Sequence, residues 1–226
     1  MTSRFSLHHG DCAAILATLP QGSVDLVVTD PPYVCRYRDR SGRAVANDNH
    51  ADWIAPAFRE IHRVMKPDTL CVSFYGWQHV ERFMLAWKAA GFTPVGHLVW
   101  PKDYTSRRGF LAARHEQAFL LAKGHPPRPA VALPDVQPWA YTGNTHHPTE
   151  KAESVIRPLI DAFSRRGDLV LDPFTGSGTT GIACARLDRR FLGVELDETH
   201  YRTAERRIKE AYRQADVTHL RAAGSL

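Results

Sequence analysis

The fold is decided by the stretch Leu169-Val170-Leu171-Asp172-Pro173-Phe174-Thr175-Gly176-Ser177-Gly178-Thr179-Thr180. Residues 169–172 form an apolar run that indicates a strand, and residues 179–187 have a helical pattern. Gly176 and Gly178 between them permit a tight turn and a close approach of a ligand to the backbone. The free N–H groups at the start of the helix can hold polar groups. Strand, glycine turn and helix together predict an α/β sheet that binds a ligand at the carboxyl ends of its strands.

Outside this stretch, short apolar runs alternate with helical patterns, which predicts a doubly wound, mostly parallel sheet in a single domain over residues 1–226. The predicted strands are residues 24–29, 69–75, 95–100, 116–122 and 190–195. The other predicted helices are residues 53–65, 78–90, 150–164 and 198–214, followed by a frayed tail over 215–226. The polar stretch 35–49 and the proline-rich stretch 124–147 fit neither pattern. Both are either functional segments or ordinary surface loops.

Composition excludes several classes of protein. With 226 residues, 43% of them hydrophobic and 23% charged, the chain is neither disordered, collagen-like nor a coiled coil. It has no apolar run of about 18 residues and no secretory signal pattern, so we expect no membrane span and a cytoplasmic location. The four cysteines form no CxxC pair, which favours reduced thiols over zinc or disulfides. The net charge of +5 is compatible with a polyanionic partner.

A second motif, Asp30-Pro31-Pro32-Tyr33, follows the predicted strand 24–29. The prolines stiffen the turn and remove N–H donors, leaving a carboxylate, the Pro31 carbonyl and an aromatic ring. An exocyclic amine on a nucleobase has two N–H donors and a flat ring, which match these groups. The fixed acceptors would also stabilise positive charge that develops on the nitrogen. The alternative is a plain strand-ending turn with a tyrosine at the rim of the core.

The glycine turn itself indicates the class of cofactor. It lacks the Gly-Lys-[Ser/Thr] of a Walker A loop and the full GxGxxG of a dinucleotide site, and Asp172 would repel a pyrophosphate. Glu195 ends the predicted strand 190–195, a position that typically holds ribose hydroxyls. A glycine turn with a downstream acid predicts a nucleoside cofactor without pyrophosphate, and S-adenosylmethionine fits that description.

The two motifs, in this order, resemble those of the DNA amino-methyltransferases with the permuted β-group arrangement, over about residues 7–207. The resemblance implies the S-adenosylmethionine-dependent methyltransferase variant of the doubly wound sheet, with a circularly permuted motif order and one antiparallel hairpin strand. It implies S-adenosylmethionine as the cofactor, DNA as the partner and DNA methylation as the activity, without a metal or a covalent protein nucleophile. Asp before Pro-Pro is typical of adenine-N6 enzymes in this family, and Ser of cytosine-N4 enzymes. The expected target is therefore the N6 of an adenine flipped out of the helix.

Site residues follow from the resemblance. The catalytic set it implies is Asp30, Pro31, Pro32 and Tyr33, with Tyr33 stacking on the flipped base. The cofactor contacts it implies are Asp11, His147, Lys151, Asp172, Phe174, Gly176, Gly178, Thr179 and Glu195. Asp11 is explained equally well as the cap of a helix over residues 12–18.

The DNA-contacting residues are expected among the basic side chains. The candidates are Arg36, Arg38, Lys102, Arg107, Arg108 and Arg114, with His115 near the target base. Residues 124–147 are the candidate target-recognition segment, and a homodimer is a further expectation from the family.

Alternative functions stay open. A cytosine-N4 DNA methyltransferase, an RNA methyltransferase and a protein-glutamine methyltransferase each act on an amine or amide with two N–H donors. Glutamine enzymes usually carry Asn in place of Asp30. A non-catalytic DNA-binding regulator is the alternative outside the enzymes.

Overall fold

A seven-stranded sheet organises the chain in a computed structural model that describes residues 4–35, 42, 46–143, 147, 149–222 and 224. Along the chain the elements are β1 (Phe5–His9), α1 (Cys12–Ala17), β2 (Val24–Thr29), α2 (Ile54–Val64), β3 (Met65–Phe74), a 3-10 turn (Trp77–His79), α3 (Val80–Ala90), β4 (Thr93–Pro101), β5 (Arg107–Arg108), β6 (Ala112–Ala113), β7 (His115–Lys123), α4 (Glu153–Phe163), β8 (Leu169–Asp172), α5 (Thr179–Arg186), β9 (Arg190–Glu195) and α6 (Glu198–Ala222).

The strand order is β1-β9-β8-β2-β3-β7-β4. The first five of these strands run parallel, and β7 lies antiparallel between β3 and β4. The sheet is therefore mostly parallel with one reversed strand, which confirms the predicted fold class.

Helices cover both faces of the sheet, because side chains of successive strand residues point to opposite faces. Val27 packs with α1, α2 and α3 on one face, and Val28 packs with α4, α5 and α6 on the other. The helices α5 and α2, which follow the neighbouring strands β8 and β2, therefore lie on opposite faces of the sheet. Open α/β sheets bind ligands where neighbouring strands are followed by helices on opposite faces, outside the carboxyl ends of the strands.

Every strand and helix predicted from the sequence is present, with boundaries shifted by a few residues. The predicted tail is wrong for residues 215–222, because α6 continues to Ala222 without a glycine or proline to stop it. Two features were not predicted. One is β1, which pairs with β9 at the edge of the sheet, and the other is the short hairpin of β5 and β6. No helix in the described part of the chain is both long and apolar enough to cross a membrane.

Gly76, two residues after the end of β3, lets the Asp30–Tyr33 turn lie close to the end of that strand. A Cβ at position 76 would come within 2.7 Å of the Tyr33 carbonyl oxygen and 2.8 Å of its Cβ. Backbone atoms cannot move aside cheaply at such distances. The absence of a side chain at Gly76 therefore fixes where the second motif sits.

We predict that Gly76→Ala lowers the free energy of unfolding by about 1–3 kcal/mol, because the new methyl group overpacks against the Tyr33 backbone. Urea unfolding followed by circular dichroism measures the change. The matched control is Gly109→Ala, where an added Cβ meets no atom within 4 Å. That control is expected to change stability by less than about 0.5 kcal/mol. Equal stability of the two variants would contradict the proposed packing.

Candidate active site

A cavity of about 1130 Å³ opens at the carboxyl edge of the parallel strands. The predicted site residues that line it are Asp11, Asp30, Pro31, Pro32, Tyr33, Lys102, His115, His147, Lys151, Asp172, Phe174, Gly176, Thr179 and Glu195. Both motifs thus contribute to one site. Gly178, Arg108 and Arg114 do not line it. Arg36, Arg38 and the side chain of Arg107 lie outside the described residues.

Asp30 is held by two hydrogen-bond donors. The Lys151 ammonium lies 2.6 Å from Asp30 Oδ2, and the Tyr33 hydroxyl donates to Asp30 Oδ1 at 2.8 Å. Lys151 is only 8% exposed, and its Nζ also lies 5.0 Å from the centre of the Phe74 ring. The sequence prediction placed Lys151 at the cofactor. The structure pairs the Lys151 ammonium with the carboxylate of the other motif, and its contact with the cofactor stays a prediction.

A second ion pair extends this cluster. Glu116, at the start of β7, accepts a hydrogen bond from the Lys102 ammonium and lies 3.4 Å from the Tyr33 hydroxyl. Lys102 is buried, and its Nζ lies 4.9 Å from the centre of the Trp139 ring. The prediction of Lys102 as a phosphate contact is therefore corrected, because antiparallel pairing of β4 with β7 directs it into the cavity beside Glu116.

Four groups of this cluster, Asp30, Tyr33, Glu116 and Lys151, have pKa values shifted from their ordinary ones. Burial raises the pKa of Asp30, and the Lys151 ammonium offsets part of that rise. Burial opposes the charge on Lys151, but the Asp30 and Glu116 carboxylates raise its pKa above the ordinary value. Burial also opposes the charge on Glu116, whose pKa is nevertheless lowered by Lys151 and Lys102. Burial and the two carboxylates raise the pKa of Tyr33, so its hydroxyl stays protonated and able to donate.

Aromatic side chains form the wall next to Lys102. The Trp139 indole N–H donates to the Tyr104 hydroxyl at 3.2 Å, and the Tyr104 and Tyr141 ring centres are 5.5 Å apart. Trp139 and Tyr141 belong to the 124–147 segment. Val99 of the edge strand β4 anchors this segment by backbone hydrogen bonds with Asp135 and Gln137. The segment therefore covers one sheet edge and brings its aromatic residues to the cavity.

The glycine turn forms the opposite end of the cavity. Glu195 is buried, and its Oε2 accepts the Gly176 N–H at 2.7 Å while its Oε1 accepts the Asp197 N–H at 2.9 Å. Burial raises the pKa of Glu195, and these two backbone N–H groups counteract the rise. The carboxylate thus ties the turn after β8 to the end of β9, with its oxygens at the cavity.

Asp172 lies beneath the turn. It is buried, accepts the Thr180 hydroxyl at 2.6 Å and the Phe174 N–H at 3.2 Å, and burial raises its pKa to about 7. The Phe174 ring packs edge-on against Trp53, with centres 5.0 Å apart. Gly178 has φ of +89° and faces Ala204 and Ile208 of α6, so its part in the turn is conformational.

Asp11 and His147 border the same end. Asp11 Oδ1 accepts the Ala14 N–H at 2.9 Å, which makes it the N-cap of α1 as the sequence allowed. His147 lies with its ring centre 4.4 Å from that of His200. Both remain at the cavity, so the structure is compatible with a cofactor contact for each.

Glu116 was not named as a site residue from the sequence, although its neighbour His115 was expected near the target base. The signal available was a carboxylate next to His115 at the head of an otherwise apolar strand. His115 itself is exposed at the cavity mouth, 3.2 Å from Gln117 Oε1. Tyr104, Trp139 and His200 were also missed, because they lie in irregular or surface segments with no motif of their own.

This arrangement defines a class of protein. A doubly wound sheet whose carboxyl edge joins a glycine turn, a downstream acid and an Asp-Pro-Pro-Tyr turn is that of the α/β methyltransferases. The chain belongs to the N6/N4 methyltransferase family of DNA methylases, whose family model matches residues 24–206. It is thus an enzyme of DNA methylation.

Two relatives show how similar the chain is to known proteins. It is 50% identical over 204 residues to "Putative methylase YubD" of Escherichia coli (strain K12), covering 90% of each chain. It is 28% identical over 242 residues to DNA adenine methyltransferase YhdJ of the same organism, covering 90% of this chain and 82% of the relative.

Solved structures share the fold. TTHA0409 from Thermus thermophilus, in complex with S-adenosyl-L-methionine, is 25% identical with a TM-score of 0.69, covering 92% of this chain and 94% of that one. The cytosine-N4-specific PvuII DNA methyltransferase is 19% identical with a TM-score of 0.74, covering 95% of this chain and 93% of that one. At 19% identity the second likeness concerns the fold alone.

We predict that Lys151→Met destabilises the protein by about 3–5 kcal/mol at neutral pH, because it leaves the Asp30 carboxylate buried without its counterion. The variant raises the folded-state pKa of Asp30 further above the unfolded value. Stability relative to the wild type is therefore lost progressively as pH rises through the range in which Asp30 is ionised in the wild type but still protonated in the variant. Urea unfolding at several pH values measures this loss.

The control is Lys66→Met, which breaks an ion pair from β3 to Asp25 of β2, the strand that Asp30 follows, but the Lys66 side chain is 43% exposed. We expect a loss of less than about 1 kcal/mol with little pH dependence. A Lys151→Met variant as mildly affected as this control would contradict a buried, charge-compensating role for Lys151.

Proposed function

We propose that this chain transfers a methyl group from S-adenosylmethionine to the exocyclic N6 of an adenine turned out of DNA. The observation that carries the proposal is the placement of Asp30 and the glycine turn on one cavity, at the adjacent strand ends of β2 and β8. One end of the cavity offers buried acceptors to a nucleoside, and the other offers a carboxylate to an amine.

The cofactor end fits S-adenosylmethionine, which is the expected cofactor. Glu195 presents a buried carboxylate at a position suited to ribose hydroxyls, Asp11 adds negative potential for a ligand with ammonium and sulfonium charges, and Asp172 also lines this end. Phe174, Gly176, Thr179 and His147 complete this end. When bound, S-adenosylmethionine supplies an electrophilic methyl group.

The amine end activates and orients the target nitrogen. In the resting site the Lys151 ammonium and the Tyr33 hydroxyl fill the hydrogen-bonding positions of Asp30. An incoming amine is also an N–H donor, and it takes up one of these positions. Asp30 and the Pro31 carbonyl accept its two hydrogens, which favours a tetrahedral nitrogen and stabilises the charge that develops on it. Pro32 keeps the turn stiff, and the Tyr33 ring stacks on the base.

Adenine is the favoured base for two reasons. The first motif position is Asp30, which in the resembled family is typical of adenine-N6 enzymes. The adenine methyltransferase YhdJ is similar over 90% of this chain, whereas the cytosine-N4 enzyme PvuII is similar in fold. Cytosine-N4 methylation is the second candidate, because its amine also presents two N–H donors.

DNA approaches across the mouth of the cavity. Arg108 and Arg114 are exposed and lie close in sequence to the cavity residues Ser106, Ala113 and His115, and the 124–147 segment contributes further lining residues. Arg36, Arg38 and Arg107 complete the proposed phosphate contacts. Turning out the base costs a few kcal/mol, which phosphate and base contacts offset. A single domain, a homodimer and a cytoplasmic location remain predictions.

The direct test is to incubate the protein with labelled-methyl S-adenosylmethionine and duplex DNA, RNA or protein, and to digest the product to its components. We expect the label in N6-methyladenine from DNA. Label in N4-methylcytosine would show that cytosine, the second candidate, is the target base and that adenine is not. Label confined to RNA or protein, or absent altogether, would contradict the proposed function.

We predict that Asp30→Ala reduces methyl transfer at least about a thousandfold, since a preorganised group that stabilises developing charge is lost. Binding of S-adenosylmethionine, measured by calorimetry, is expected to change little. The opposite pattern is expected for Glu195→Gln, which should weaken cofactor binding about tenfold or more because an ionised acceptor is lost. If Asp30→Ala transferred methyl groups at the wild-type rate, Asp30 would be excluded from catalysis.

We predict that replacing Arg107 and Arg108 together by Ala weakens DNA binding and makes log K less steeply dependent on log salt, by about 1.8 for two lost phosphate contacts. Fluorescence anisotropy at several salt concentrations gives this slope. The control replaces Arg165 and Arg166, an adjacent pair that precedes the amino end of β8, whereas the cavity lies at the carboxyl ends of the parallel strands. An unchanged slope in the first variant would remove these arginines from the DNA interface.

A further inference from the structure

The hairpin of residues 107–113 has an apolar tip. Phe110 is fully exposed and Leu111 is 84% exposed, side by side between the two short strands. Single exposed apolar residues are common on protein surfaces, but two large neighbours at the end of a projecting hairpin form a contact element.

The base of the hairpin is firmly held. The Ser106 N–H donates to the Ala113 carbonyl at 2.9 Å, and the Lys102 N–H donates to the Arg114 carbonyl at 2.7 Å. The Arg114 guanidinium also donates to the carbonyls of Lys102 and Asp103. The tip is therefore presented by a braced ribbon rather than by a loose loop.

The hairpin connects directly to the active site. Ser106 and Ala113 line the cavity, and the flanking strands β4 and β7 lead to Lys102 and Glu116 in the charged cluster. Arg108 and Arg114 are exposed on the ribbon. The hairpin thus presents an apolar tip and nearby arginines beside the cavity. Duplex DNA has a charged backbone that the arginines can bind and a stacked apolar interior that the tip can contact.

We propose that Phe110, supported by Leu111, inserts into the base stack of duplex DNA next to the nucleotide that enters the cavity. Proteins that kink DNA insert apolar wedges of this kind between bases, which stabilises the unstacked state. The inference rests on the proposed function, and it assigns the hairpin to opening the duplex rather than to the chemistry. The hairpin should thus matter for paired DNA and not for single strands.

The test compares initial rates of methyl transfer on native and heat-denatured genomic DNA that lacks prior methylation. For Phe110→Ala we expect about a tenfold lower rate on native DNA, and a rate within about twofold of the wild type on denatured DNA. Phe110→Trp keeps a flat apolar side chain and is expected to retain most of the activity on native DNA. The control is Leu85→Ala, an exposed apolar residue of α3 that does not line the cavity, with both rates unchanged.

The outcomes separate this inference from the proposed function. If the wild type methylates neither form of DNA, the proposed function fails. If the wild type methylates DNA but Phe110→Ala has an unchanged rate, or a rate reduced equally on both forms of DNA, the wedge is wrong and the proposed function stands. Gel filtration should show the same elution for both proteins. A change from dimer to monomer in Phe110→Ala would make the tip a subunit interface and overturn the wedge.

Discussion

The buried ion pair between Lys151 and Asp30 is the interaction on which the site depends. A carboxylate at the end of a central strand, with only 21% of its side chain exposed, requires a counterion close by. Lys151 meets that requirement from a segment more than a hundred residues further along the chain. Tyr33, Glu116 and Lys102 extend the pair into one cluster, so the ends of β2 and β4, the start of β7 and the segment before α4 are held together by charge. The geometry of the amine end therefore exists before any substrate binds.

The cavity joins two chemically different halves. At the glycine turn, Glu195 and Asp172 are buried acceptors held by backbone N–H groups and a hydroxyl, which suits a nucleoside with cationic substituents. At the Asp-Pro-Pro-Tyr turn, charges are paired and aromatic rings line the wall, which suits a flat base with an amine. The two halves meet because the parallel neighbours β8 and β2 end side by side, while the helices that follow them lie on opposite faces of the sheet.

The sequence was most informative where local chemistry is specific. The glycine turn after residues 169–172 and the prolines at 31 and 32 predicted the fold class and both ends of the cavity, because each restricts the backbone directly. The partners of Asp30 and Glu116 could not be predicted in this way. Lys151 and Lys102 are single lysines whose environment depends on long-range packing and on strand pairing between β4 and β7. The strand β1 was missed because five residues at a sheet edge carry little pattern, and α6 was cut short because chain ends are often frayed.

The most direct measurement of this charge coupling is the titration of the Asp30 carboxyl carbon by ¹³C NMR, assigned with Asp30→Asn and compared between the wild type and Lys151→Met. If Lys151 compensates the buried charge, the midpoint of Asp30 moves to higher pH in the variant. Identical midpoints in the two proteins would show that the two residues are not electrostatically coupled, and the preorganised site described here would be contradicted.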